Sequence, residues 1–326
     1  MSQLDQIEGI RKNVGLAEFT TFHMGGPADF FVEIRNVMMI PALVEACKSD
    51  GLPFFLLGWG SNVIFSDKGF RGLVIRNLAK NCAIGEEVVA AGQPGSAGYR
   101  PAGRLINADS GTLLSQVIQK SLQNGLIGLE KMVGIPGTIG GAVRGNAGAF
   151  GVETRHYFEK ALIYDPESGK VSEQDRDYLN FSYRHSQLKD SPEIILKVAL
   201  RLVPGDSKQA LEEVKQILTY RVGKLPQGYS AGSFFKNPSR NSIGEGVSAG
   251  QLIEECGFKG RHIGGAFISD KHANFLMNDG KATMLDVMEL YTQIQKDVLQ
   301  KFRIKLEREV VLVGEKGPIE DEFVLS

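Results

Sequence analysis

Glycine recurs between residues 134 and 151 at a spacing suited to holding a phosphate: Gly134-Ile-Pro-Gly-Thr-Ile-Gly-Gly-Ala-Val-Arg-Gly-Asn-Ala-Gly-Ala-Phe-Gly151. Glycines at this density remove side chains where backbone must approach a ligand, and they permit the positive φ angles that turn successive N–H groups toward one anion. A diphosphate can be held this way without a metal ion. A loose, solvated loop is the plainer alternative, since a glycine cluster alone is a weak signal. Ile135, Ile139, Ala142, Val143, Ala147, Ala149 and Phe150 interleave with the glycines, so the segment reads as packed. A second glycine turn, Gly58-Trp-Gly-Ser-Asn62, follows the apolar run Phe54 to Leu57. The C-terminal end of a strand is where α/β folds place ligand phosphates. Its glycine spacing departs from the dinucleotide fingerprint of a Rossmann unit, so that assignment is not made.

Alternating strand and helix signals surround both turns. Phe30 to Ile34 reads as a strand, Met38 to Ser49 carries apolar residues at helical spacing, and Phe54 to Leu57 is a second strand, together a βαβ unit. Thr112 to Asn124 places Leu113, Leu114, Val117, Ile118 and Leu122 on one helical face before a stop at Gly125. Ile194 to Val203 alternates as a half-buried strand. Glu86 to Gly103 contains Gln93-Pro-Gly-Ser-Ala-Gly-Tyr99 and Pro101-Ala-Gly103, which predicts no regular element, only a mobile loop or insertion. Beyond Pro204 the character changes, and a boundary is predicted near Asp206. Ala210 to Tyr220, Gln251 to Cys256 and Met284 to Phe302 read as helices, the last with Thr283 as N-cap, and Ile304 to Val313 returns to strand.

Composition narrows the partner. With 326 residues the chain can bury a large core in two or three domains, and 37 basic against 38 acidic residues point away from nucleic acid or a membrane surface. A small polar ligand is the natural partner, and no obligate protein partner is expected. Cys47, Cys82 and Cys256 are odd in number and set among apolar neighbours, as in reduced cytosolic proteins, so the expected location is cytoplasmic. The five histidines are scattered without metal-ligand spacing, so no metal is expected. Met1 to Leu16 lacks the apolar core of a signal peptide, and no stretch is apolar enough to span a bilayer.

Seven motifs occur in an order that carries a resemblance: Thr20-Thr-Phe-His-Met-Gly-Gly-Pro-Ala28, Leu57-Gly-Trp-Gly-Ser-Asn62, Gly134-Ile-Pro-Gly-Thr-Ile-Gly-Gly141, Asn146-Ala-Gly-Ala149, Tyr183-Arg-His-Ser186, Gly232-Ser-Phe-Phe-Lys-Asn-Pro238 and Leu306-Glu-Arg-Glu-Val310. From about residue 15 to residue 315 the chain resembles the UDP-N-acetylenolpyruvoylglucosamine reductases. The resemblance implies an α+β fold: an FAD-binding body of the vanillyl-alcohol-oxidase type, with two α/β subdomains at 1–75 and 76–205. It adds a smaller α+β substrate-binding domain at 206–302 and a return to the FAD-binding body at 303–326. It also implies the activity, a step of peptidoglycan precursor synthesis and so of cell-wall biogenesis. NADPH reduces non-covalently bound FAD, and reduced FAD converts the enolpyruvyl group of a nucleotide sugar to a lactyl ether, giving UDP-N-acetylmuramate.

The resemblance also assigns site residues. Gly58, Trp59, Gly60, Ser61, Asn62 and Val63, with Gly134, Ile135, Pro136, Gly137, Gly140 and Gly141, would cradle FAD, and Asn146 and Ala147 would lie close by. Hydride addition to the terminal carbon of the enolpyruvyl double bond builds negative charge on the substrate carboxylate, which needs a fixed cation. Arg184 matches that position, since guanidinium can bind a carboxylate through two parallel bonds. The second carbon then needs a positioned acid. Only the resemblance selects Ser233 over the neighbouring Ser230 for that part. Glu309 would assist; strand alternation puts it on one face with Glu307, so the sequence alone leaves both open, and a carboxylate beside a developing anion is expected to have a raised pKa. Lys224 and Asn237 match positions that meet the substrate diphosphate and sugar. Tyr183 and Asn274 are further substrate candidates, with packing or loop capping as the alternative.

One departure narrows the reading. Some family members insert a segment after the strand that follows the arginine, bringing a tyrosine over the substrate; here Val203 runs into the Lys208 helix with no room for it, as in the shorter branch. The competing functions are a flavin-dependent alcohol or sugar oxidase of the same superfamily, which often tethers its flavin covalently, and a flavin-binding protein without catalysis, for which Ser233, Arg184 and Glu309 together would have no purpose.

Overall fold

The computed structural model describes residues 3–94, 99–238 and 246–320. The chain folds into two compact units: Met1–Val32, Cys47–Val74 and Val222–Ser326 form one, Glu33–Ala46 and Ile75–Arg221 the other. No helix among the described residues is long and apolar enough to cross a membrane.

In the first unit, Arg11–Gly15, Pro27–Ile34, Phe70–Asn77 and Phe54–Leu57 lie in that order in one sheet. The strands on either side of helix Ile40–Ser49 therefore share a sheet, as the βαβ signal predicts, with a third strand between them. A second sheet, Tyr229–Ser233, Phe275–Asn278, Ala266–Ile268 and His262–Ile263, packs with helices Ala249–Glu255 and Met284–Phe302 around Phe234, Phe235, Leu276 and Ile294. The long helix has the predicted bounds because Thr283 caps it: its hydroxyl accepts from the Asp286 N–H while the Asp286 carboxylate accepts from the Thr283 N–H.

The predicted strand 304–313 is shorter than expected. Arg303 ends the helix in the left-handed region at φ 61°, residues 304–310 run irregularly, and only Val311–Gly314 is a strand, parallel to Val63–Phe65. The intervening residues spend their backbone groups elsewhere, as the site shows.

The second unit is built on a sheet ordered Lys170–Asp175, Phe158–Asp165, Ile194–Pro204, Gly103–Asp109 and Cys82–Val88. Helix Leu114–Gln123 buries Leu114, Val117, Ile118 and Leu122 against it, the face expected from their spacing. Only two residues separate Ile194–Pro204 from helix Ser207–Lys224, so no insertion lies between them, and Ala210 and Ile217 join this unit's core.

Glu86 to Gly103 is also more regular than its composition predicts. Cys82–Val88 pairs antiparallel with Gly103–Asp109, and Ala91 pairs with Arg100 in the same hairpin; residues 95–98 lie outside the described residues. Charge holds this arm. Arg201 binds Glu159 through Nε and Nη2 and donates from Nη1 to the Val89 and Pro101 carbonyls, and Arg100 also pairs with Glu159.

Candidate active site

In the first unit, four expected site segments come together. The Gly58–Val63 turn leaves strand Phe54–Leu57, and Gly60 turns it at φ 72°. A Cβ at Gly60 would stand 2.1 Å from the Phe19 carbonyl oxygen, so only glycine lets the turn lie this close to the Phe19–Thr21 backbone. The Thr21 N–H donates to the Gly60 carbonyl at 3.0 Å, fixing the turn from behind, while the Thr21 hydroxyl donates to the Ser230 carbonyl at 2.7 Å. Its outward residues stay exposed, Trp59 at 45% and Asn62 likewise.

Asn62 ties this turn to Glu309. Its Nδ2 donates to the Glu309 carbonyl at 3.2 Å, and its own carbonyl accepts from the Val311 N–H at 3.0 Å. Glu309 is in turn bound to the segment after Ser233: the Glu309 N–H donates to the Phe234 carbonyl at 2.8 Å, Phe235 bridges Arg308, and the Lys236 N–H reaches the Glu307 carbonyl. Ser233 and Glu309 therefore lie on neighbouring, backbone-paired segments. The two glutamates left open by the sequence differ in surroundings, since Glu307 is exposed and paired with Lys236 at 3.1 Å, whereas Glu309 is half-buried. Ser233 itself is exposed.

Two of the expected substrate contacts also have protein partners. Asn274 is only 4% exposed, and its Oδ1 accepts from the Phe235 N–H while its Nδ2 donates to the Phe235 carbonyl, both at 2.9 Å. Its side chain thus holds a loop, the alternative the sequence left open. Asn237 is exposed, but its Oδ1 accepts from the Ala249 N–H at 3.0 Å at the start of helix Ala249–Glu255. Lys224 is exposed at the end of helix Ser207–Lys224.

In the second unit the glycine run is packed, as its interleaved apolar residues predict. Ile139, Ala142 and Val143 are buried in the core. Thr138 caps helix Ile139–Arg144 by accepting from the Gly141 N–H, and the Ile139 and Gly140 N–H groups donate to the Thr112 and Ser110 carbonyls. A Cβ at Gly140 would stand 2.7 Å from the Ser110 Cβ. Gly141 is different: a Cβ there would meet only the Thr138 hydroxyl, at 3.6 Å, and the residue is exposed along with Gly134 and Pro136. The run departs from the packed pattern at Phe150, which is exposed at φ 52° with its ring edge-on to Tyr220.

Asn146, fully buried, connects this run to Arg184. Its Nδ2 donates to Glu153 and to the Ser182 carbonyl at 2.7 Å, and its Oδ1 accepts from the Arg155 N–H. Its carboxamide is bound within the protein, so the side chain organises the turn. Arg184, at φ 55°, donates from Nη2 to the Gly148 carbonyl at 2.8 Å and lies 5.0 Å from the centre of the exposed Tyr183 ring. Ala147 is anchored by its N–H to the Ala142 carbonyl. Arg221, which no motif marks, lies against this turn: its Nε would be 2.8 Å from a Cβ on Gly134, and burial lowers its pKa.

Both glycine turns fit a dinucleotide such as FAD in the same physical sense. Each has backbone locked from behind by hydrogen bonds or by contacts too close for a Cβ, and each keeps an exposed front, at Trp59 and Asn62 in one and at Gly134, Pro136 and Gly141 in the other, that a diphosphate can approach closely.

Comparisons with known proteins agree with this fit. A domain family described as "FAD binding domain" matches residues 28–173, and one described as "UDP-N-acetylenolpyruvoylglucosamine reductase, C-terminal domain" matches residues 224–313. The chain is 37% identical over 313 residues to the UDP-N-acetylenolpyruvoylglucosamine reductase of Clostridium novyi, covering 95% of this chain and 94% of that protein. It is 36% identical to the namesake from Carboxydothermus hydrogenoformans, covering 94% of each. The crystal structure of the Thermus caldophilus reductase superimposes with a TM-score of 0.72 at 30% identity, covering 93% of this chain and 99% of that one.

Proposed function

Since the chain belongs to the UDP-N-acetylenolpyruvoylglucosamine reductase family, we propose how its own residues divide the family's reaction. The enzyme is an FAD-containing oxidoreductase that uses NADPH to reduce UDP-N-acetylglucosamine enolpyruvate to UDP-N-acetylmuramate in peptidoglycan precursor synthesis. The oxidase alternative loses its ground, because the relatives similar over nearly the whole chain are reductases.

FAD, when bound and reduced by NADPH, supplies the hydride to the enolpyruvyl double bond. Gly58 to Val63 and Gly134 to Gly141 hold its diphosphate and flavin on their exposed faces, where glycine leaves no side chain in the way, and Asn146 and Ala147 keep the second of these turns in shape. Arg184 binds the substrate carboxylate and opposes the charge that builds there. The bond it makes to the Gly148 carbonyl supports this reading, because it orients the guanidinium before substrate arrives. Ser233 gives its hydroxyl proton to the second carbon, and Glu309 assists from the paired segment. The observation that carries this assignment is the backbone pairing of Glu309 with Phe234, next to Ser233.

Lys224, Asn237 and Tyr183 remain the proposed contacts for the substrate's diphosphate and sugar; the substrate-binding domain expected at 206–302 starts later, because helix Ser207–Lys224 packs Ala210 and Ile217 into the second unit's core and the first unit resumes only at Val222. A cytoplasmic location is proposed on the three free cysteines.

NADPH consumption followed with and without the enolpyruvyl substrate tests the function. A substrate-dependent rate is expected; its absence from protein that carries flavin would overturn the assignment.

A further inference from the structure

We propose that Asn274 is the positioning residue for the Ser233 hydroxyl, acting through Phe234 and Phe235 and together with the left-handed turn at Gly232. The inference rests on the reading of Ser233 as the proton donor. Strand Tyr229–Ser233 pairs with Phe275–Asn278 through Ser230 opposite Met277 and Ser233 opposite Phe275. The first strand advances three residues where its partner advances two, so one extra residue is inserted just before Ser233. Such a bulge redirects the side chains that follow it, because a one-residue shift moves each to the opposite face of the sheet. Gly232 supplies the conformation at φ 83°, in open space: a Cβ there would meet nothing within 4 Å. Glycine is required here for torsion alone.

Asn274 fixes the chain on the other side of Ser233. Its backbone carbonyl accepts from the Phe234 N–H at 2.8 Å, and its carboxamide pairs with both the N–H and the carbonyl of Phe235. Phe234 and Phe235 are buried, so these three bonds operate away from water. Ser233 is thus an exposed hydroxyl between a bulge and a clamp, its backbone held on both sides. Because the Phe234 carbonyl also receives the Glu309 N–H, the same clamp sets the donor against its assisting carboxylate. Proton delivery to carbon is sensitive to such placement: a misplacement of about 1 Å, even from a distant change, costs about a hundredfold in rate.

The test separates the two half-reactions of the flavin-loaded enzyme by anaerobic rapid mixing. For Asn274→Ala, bleaching of the flavin by NADPH is expected within about twofold of the parent, while its recolouring by the enolpyruvyl substrate slows about a hundredfold. The solvent deuterium isotope effect on recolouring should rise, and the double variant Asn274→Ala/Ser233→Ala should lose no more than Ser233→Ala alone, which a merely structural role would not produce. Gly232→Ala probes the same placement without removing a buried bond and should show the same split even if Asn274→Ala does not fold. If Ser233→Ala recolours at the parental rate, the proton-donor reading fails. If Ser233→Ala is slow but Gly232→Ala or folded Asn274→Ala is not, or the double variant is additive, the positioning inference fails while the function stands.

Discussion

Gly140 and Gly232 belong to two site regions that use glycine for opposite reasons. At Gly140 there is no room: a Cβ would press on Ser110, and the residue lets a short capped helix sit against a neighbouring loop. At Gly232 there is ample room but an unusual torsion, and the residue aims the hydroxyl next to it. On the proposed reading, the first region is a surface made rigid for a cofactor to lie on, and the second is a single side chain made directional so that a proton can travel. A glycine count reports neither distinction, and a substitution that is harmless by one criterion is damaging by the other.

Substitutions sharpen or break this contrast, beginning with the largest effect. Arg184→Met should lower turnover with the enolpyruvyl substrate about 10²–10³-fold, the usual consequence of removing a donor aimed at developing charge, while flavin content stays parental; loss of flavin instead would move Arg184 to the cofactor side. Glu309→Gln should cost at least about tenfold and alter the pH profile of substrate reduction. A profile and rate equal to the parent's would remove its role. Gly140→Ala should destabilise the protein by about 1–3 kcal/mol through overpacking and weaken FAD retention, read by thermal melting and by flavin absorbance. Were Gly140→Ala to keep full stability, the packing half of the contrast would fall. Thr138→Ala should cost about 1 kcal/mol through the lost cap, with a smaller fall in FAD affinity.

The smallest effect is remote from both regions. The Asp286 carboxyl sits below the ordinary carboxylate range, chiefly because it accepts from the Thr283 N–H, with the Gly265 N–H and Thr283 hydroxyl adding to this. A lowered folded pKa contributes stability above the unfolded value, and that contribution is lost as pH falls through the folded one. Asp286→Asn should therefore lower the melting temperature slightly near neutrality and narrow its difference from the parent in acid.

What the sequence made legible is local. Helix Met284–Phe302 was readable to the residue because its period and its cap lie within one stretch of chain. Packing of the glycine run was readable because its apolar residues alternate with the glycines. Long-range pairing was not. The bulge before Ser233 exists only opposite Phe275, and the clamp on Phe235 comes from a residue 39 positions away. Strand signals in 304–313 misled because residues 307–310 give their backbone bonds to the Phe234–Lys236 segment as single bridges rather than a ladder. The arm at 86–103 was obscured because its order depends on Glu159 and Arg201, which no local window includes. Asn146 and Asn274 carried a ligand reading by resemblance, and only their buried hydrogen bonds show them engaged in holding backbone.

The most direct test of the whole account takes flavin-loaded Ser233→Ala, mixes it anaerobically with NADPH and then adds the enolpyruvyl substrate. The flavin should bleach at the parental rate and then stay bleached, recolouring about 10²–10⁴-fold more slowly than in the parent. Recolouring at the parental rate would contradict the claim that this hydroxyl, held by the bulge and the clamp, delivers the proton.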